Sequence, residues 1–286
     1  VLTANGGDAA IGADSAIDAA PRDGSPIADA SIDQTNPVTD GGFDSGFDSG
    51  PPRVVYGSTN DGIYSLDLQS HVVHEIAKFS TCGVVSGTNN DLAVDSNGLV
   101  HVFTWSSGTY EFYALETDGG CGVVHGPGAS TPAPYTEWEA YQKGATTDYL
   151  VDLAANSSSI GLSGADTNNG VVVGSLPRNA SSDLTCTPTI CYTALTSNNC
   201  LNDAGMSDCL ITFEPDGGSV QQIGTFGKTG VVGMAYDSGY VYGFFADGSV
   251  VQLSTTPGSA GQAFDYTKSG SSTLVWQGAG SSSAKE

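Results

Sequence analysis

From residue 53 onward the chain runs in short apolar stretches separated by Gly, Asn, Asp and Ser. Leu92-Ala93-Val94 leads into Asp95-Ser96-Asn97-Gly98, an aromatic run from Val100 to Trp105 follows, and a second run spans Tyr110 to Leu115. Farther on, Gly233-Met234-Ala235-Tyr236 leads into Asp237-Ser238-Gly239, then Tyr240-Val241-Tyr242-Gly243-Phe244-Phe245, then Asp247-Gly248 and Val250 to Leu253. Period-two alternation predicts half-buried strands, and Asn, Asp and Gly at the breaks predict tight hairpin turns, since they tolerate positive φ. No apolar window is long enough for a membrane-spanning helix, which needs roughly 18 or more residues.

These segments repeat. Val54-Val55-Tyr56-Gly57 with Asp61-Gly62-Ile63-Tyr64-Ser65-Leu66 restates the second half of the pattern, and Leu153 to Leu176 is a looser copy. Cys82-Gly83-Val84-Val85-Ser86-Gly87 recurs as Cys121-Gly122-Val123-Val124-His125-Gly126. Three or four short strands per unit of ~40 residues is the period of a propeller blade. Residues 53–280 thus resemble the β-propeller superfamily in the manner of NHL, WD40-like and lactonase-type propellers, although the Trp-Asp and Gly-His marks of WD40 repeats are missing. The resemblance implies an all-β domain of five or six blades, with a β-sandwich as the alternative. The first blade lacks an innermost strand ahead of Val54, and 272–276 is expected to supply it and close the ring; 281–286 is read as a flexible tail.

Residues 1–52 have another character. They hold nine Asp, one Arg and no Glu among Ala, Gly, Ser and Pro, and Phe43-Asp44-Ser45-Gly46 repeats as Phe47-Asp48-Ser49-Gly50. Such a composition buries too little apolar surface to offset ordering entropy, so it predicts a disordered acidic tether. Leu2-Thr3-Ala4 resembles a bacterial lipobox, with Asn5 where the lipidated Cys would stand, so acylation cannot occur there. The resemblance implies a secreted or cell-surface protein, outer-membrane-anchored in a bacterium if Asn5 replaces a Cys. The chain's net charge of −23 opposes binding to nucleic acid or anionic lipid.

Six cysteines, few lysines and abundant Ser, Thr and Asn point to export and oxidation. Cys186–Cys191 and Cys200–Cys209 are expected as local disulfides stapling an irregular insertion near 178–210, which leaves Cys82 with Cys121. The spacings do not match the C-x₂₋₄-C of a zinc site.

Candidate chemistry is sparse. His71 and His74 are three apart and face opposite sides of a strand, while His101 and His125 stand alone. No Gly-x-Ser-x-Gly elbow joins a strand to a helix. Asp95 to Gly98, Asp166 to Gly170, Asn60-Asp61-Gly62 and Asp216-Gly217 offer oxygen ligands for Ca²⁺, yet turn chemistry accounts for them without a metal. Lactonase-type propellers hold a metal with channel carboxylates, for which Asp95, Asp152 and Asp237 are the candidates here. The segment from Pro132 to Tyr141 is read as an inter-unit loop whose Tyr135, Glu137, Trp138, Glu139 and Tyr141 suit a protein or glycan surface. The expected function is a non-enzymatic recognition or adhesion module without a cofactor, acting through loops 126–145 and 178–210. The alternatives are a structural subunit that self-assembles through its N-terminal segment, and a metal-dependent lactonase or lyase.

Overall fold

The computed structural model describes residues 53–282, apart from 83–89, 107–108, 116–137, 143, 145–147, 154–157, 165–170, 181–182, 203–204 and 269–273. The expected tether, 1–52, lies outside them, and the chain divides between Ser49 and Gly50.

The alternating runs form antiparallel sheets in chain order. The first contains β1 (Val54–Thr59), β2 (Gly62–Asp67) and β3 (Val72–Lys78), followed by a single helical turn, α1 (Phe79–Cys82). The second contains β4 (Asn90–Val94), β5 (Val100–Ser106) and β6 (Thr109–Leu115). The third contains β7 (Trp138–Gln142), β8 (Tyr149–Leu153), β9 (Ser159–Gly164) and β10 (Val171–Ser175). The fourth contains β11 (Leu184–Cys186), β12 (Cys191–Leu195), β13 (Cys209–Phe213) and β14 (Gln221–Thr225). The fifth contains β15 (Val231–Asp237), β16 (Tyr240–Phe245) and β17 (Val250–Ser254). Three two-residue strands extend outer edges: β18 (Ser259–Ala260) joins β14, β19 (Gln262–Ala263) joins β17, and β20 (Thr267–Lys268) joins β3.

The last strand, β21 (Trp276–Gly280), returns to the first sheet and pairs antiparallel with β1, setting Tyr56 against Gly280 and Gly57 against Ala279. The missing inner strand of the first blade therefore comes from the C-terminal end, as expected, but from 276–280 and not from 272–276. One inner strand from each sheet faces the next in a closed cycle: β21 meets β4, β4 meets β7, β7 meets β11, β11 meets β15, and β15 meets β21. The fold is a β-propeller, with five sheets among the described residues.

The core lies between sheets. In β13, Cys209, Ile211 and Phe213 face the third sheet, while Leu210 packs with the fifth. In β12, Cys191 and Leu195 take the first side, and Tyr192 and Ala194 the second. Period two thus persists, but both faces of each strand are buried, which gives unbroken burial over β12 and β13. Between the fifth and first sheets the indole of Trp276 meets Phe244 edge-on at 5.1 Å and Tyr64 at 6.2 Å, and its Nε1–H donates to the Gly248 carbonyl at 3.2 Å. Gly233 permits the close approach of β15 to β21: a Cβ there would stand 2.5 Å from the Ala279 nitrogen.

Three expectations need correction. Residues 178–210 are not an insertion: they supply β11, β12 and the start of β13, a regular blade whose inner strand is only three residues long. Trp138, Glu139 and Tyr141 lie on β7 rather than on a loop, because the alternation of Trp138-Glu139-Ala140-Tyr141-Gln142 pairs in full with β8. Nor is 281–286 wholly a tail. Ser281 and Ser282 are buried, and Ser282 bridges Val94 in parallel.

Candidate functional site

The second, fourth and fifth blades each turn by a short connection from the inner strand to the next, β4 to β5, β11 to β12 and β15 to β16. In the second blade Asp95 caps the turn: one carboxylate oxygen accepts from Asn97 N and Leu99 N at 2.9 Å each, and the other lies 3.2 Å from His101 Nε2. Burial opposes ionisation of Asp95, but His101 and the two amides outweigh it and hold the carboxyl below its usual range. In the fifth blade Arg53 Nε donates to Asp237 Oδ2 at 2.6 Å, and its Nη2 donates to the same oxygen. That pair ties the entry of the first blade to the turn of the last. Asp148 accepts from Ser96 N at 2.8 Å, joining the third blade to the second. In the fourth blade the Cys186–Cys191 disulfide closes the hairpin.

Asp95 and Asp237 therefore have structural partners at hairpin turns, and Asp152 lies on β8, the second strand of its blade. Asp237 ends β15, the inner strand of its blade, Asp95 follows β4, and the side chain of Asp152 is outside the described part. The acid at the axis is Asp183, just before β11 and without exposure. Its Oδ1 accepts from Leu184 N at 2.6 Å, and its Oδ2 from Met234 N at 2.9 Å and Ala279 N at 3.2 Å. Its side chain also hydrogen-bonds that of Asp91 on β4. Burial drives the Asp183 carboxyl well above the ordinary carboxylate range, against the pull of the three amides. Nearby, Ser281 Oγ accepts from Tyr236 N at 2.8 Å and lies 3.3 Å from Thr185 Oγ1. Among the described residues no group of three or more His, Cys, Asp or Glu is arranged to hold a metal. His71 is spent on the sheet edge, where Nδ1 meets the Asp265 carbonyl at 2.8 Å and the ring stacks on Phe264.

The end of the fourth blade opposite its Cys186–Cys191 hairpin carries a longer connection. The loop between β12 and β13 is closed by the Cys200–Cys209 disulfide. Its base is held by Asp208, whose Oδ2 accepts from Gly230 N at 2.7 Å, and by Ser207 Oγ, which accepts from Gly227 N at 2.8 Å. Its tip projects Met206, 92% exposed, beside Leu201 at 37%. An apolar side chain with that exposure on a cross-linked loop is not packed among the described residues. Of the expected loop residues, Tyr135 and Glu137 lie outside the described residues, as does Cys121 and with it the expected pair with Cys82, which ends α1. The side chains of Trp138, Glu139 and Tyr141 are likewise outside the described part. A separate shallow cleft of about 340 Å³ opens between the fifth and first blades, lined in part by Ser249, Phe264, Asp265 and Lys268.

The sequence foresaw both local disulfides and the hairpin turns but not Asp183. A lone Asp after two serines carries no recognisable signal, and only ring closure brings Met234 and Ala279 to it.

No family model and no curated protein matches the chain. Among solved structures, a nidogen/laminin complex has a chain of similar fold, at a TM-score of 0.50 and 11% identity, covering 80% of this chain and 98% of that one. TolB from Acinetobacter baumannii matches at a TM-score of 0.44 and 12% identity, covering 79% of this chain and 53% of that one. A gluconolactonase from Xanthomonas campestris matches at 0.41 and 11%, covering 70% and 71%. These neighbours are β-propellers.

Proposed function

We propose that this chain is a non-enzymatic recognition module, acting outside the cell or on its surface, that binds a partner protein or glycan through the loops at one end of the propeller. The observation that carries this reading is the Cys200–Cys209 loop, which holds Met206 and Leu201 out in solvent on a cross-linked frame. A preorganised loop loses little conformational freedom on docking, and an apolar tip gains from burial. Tyr135, Glu137, Trp138, Glu139 and Tyr141 make the second part of the proposed surface, on the ground of their amphipathic aromatic and acidic side chains. The similar structure from a complex of two proteins fits a protein partner. Two disulfides fit an oxidising compartment. The engagement of Asp95, Asp237 and Asp183 with fixed donors supports a binding role over a catalytic one.

The test captures partners from cell-envelope protein and surface glycan on the immobilised chain, with and without EDTA. Met206→Asp combined with Leu201→Asp should lower capture at least tenfold while leaving the thermal unfolding curve in place. Unchanged capture by that double variant would overturn the reading. Loss of capture in EDTA alone would reassign the Asp and Asn turns to Ca²⁺.

A further inference from the structure

The axial carboxyl pair has no part in the proposed recognition surface, and its geometry has a consequence of its own. Ionised carboxylates are acceptors only, so two of them hydrogen-bond each other only when one carries a proton. Asp183 and Asp91 are joined in this way, and they are 0% and 5% exposed. We propose that the propeller axis is a proton-binding site, in which one proton shared by Asp183 and Asp91 latches the C-terminal strand into the ring.

The pair reaches four of the five sheets among the described residues. Asp183 belongs to the fourth, accepts from Met234 N of the fifth and Ala279 N of the first, and meets Asp91 of the second. Asp91 Oδ1 accepts from Leu92 N at 2.8 Å, and Thr193 Oγ1 donates to the Asp183 carbonyl at 3.0 Å. Among the described residues the groups bonded to Asp183 include Leu184, Thr193, Met234, Ala279 and Asp91, and of these Asp91 titrates; the Glu139 side chain on β7 is outside the described part. Three amides stabilise a single negative charge there. A second charge would sit beside the first, out of water, and like charges at such a site do not both ionise readily. Losing the proton therefore repels Asp91 from Asp183 and loosens the carboxylate that holds Ala279.

The upward shift of the Asp183 carboxyl has the matching sign. Its folded form holds a proton that the unfolded chain has released, so the stabilisation is complete below the ordinary carboxylate range and is lost as pH rises through the folded value. Each pH unit in that window lowers the folding equilibrium constant by up to tenfold, the effect of one proton.

Asp91→Asn is the discriminating variant. Its amide donates permanently to an ionised Asp183 and its oxygen still accepts from Leu92 N, so the bonds survive without the proton. Unfolding midpoints of wild-type chain and Asp91→Asn are measured in steps from the ordinary carboxylate range up to alkaline pH. The wild type should lose stability as pH rises, and Asp91→Asn should stay flat over the same range. Infrared spectra of the folded wild type just above the ordinary carboxylate range should also show a protonated carboxyl band that shifts in ¹³C-Asp protein and disappears in Asp91→Asn. Parallel pH slopes for the two proteins, or absence of that band, would overturn the proposal. The infrared measurement decides the matter if Asp91→Asn does not fold.

Discussion

At the scale of single residues, one type of side chain does two jobs in this propeller. Asp95 is a turn acid, held low by two amides and His101 despite its burial. Asp95→Ala leaves those donors without an acceptor and should cost roughly 2–3 kcal/mol in denaturant unfolding. Because its carboxyl is held low, this contribution is present above the ordinary carboxylate range and disappears as pH falls through the folded value. Acid unfolding of Asp95→Asn should therefore be shallower than that of wild type. Asp95 was legible beforehand, since Asp before Ser-Asn-Gly spells a turn and Gly98 takes the positive φ of 85° that the turn demands. Asp183 was not, because its partners come from strands distant in the chain. The two methionines make a further contrast. Met206 is 92% exposed and Met234 fully buried, so mild peroxide should add a single oxygen, located at Met206 by peptide mass analysis.

At the scale of elements, Pro and Asn misled where cross-strand pairing ruled. Pro177, Pro188, Asn198 and Asn199 gave 178–210 the look of an insertion, yet Leu184–Cys186 pairs with β12 residue for residue. A three-residue strand is too short to show a period, and its Cys186 reads as a loop cysteine until Cys191 faces it. Likewise Pro132 and Pro134 hid the start of β7. The disulfides were legible because their spacing is local. In the chain-entropy account closures of this length contribute roughly 2–3 kcal/mol each. Cys186→Ser with Cys191→Ser should lower the unfolding free energy by about that amount, and the loss should leave the recognition loop competent. Cys200→Ser with Cys209→Ser should instead weaken partner capture more than stability, since that closure organises the loop tip.

At the scale of the whole molecule, the ring is closed by β21, and Trp276 wedges it between the fifth and first blades. Trp276→Ala should cost about 3–5 kcal/mol, measured by chemical unfolding, because the indole fills the contact between the fifth and first blades. The arrangement also sets a schedule. β1 waits for a partner strand that the ribosome makes last of all the described strands. At about 5–20 residues per second, many seconds separate the two. Until β21 arrives, β1 presents an unpaired edge, and the nascent chain cannot complete its ring. Whatever handles this protein during its synthesis must shield that edge, and no early fragment, however long, will behave as the finished molecule does.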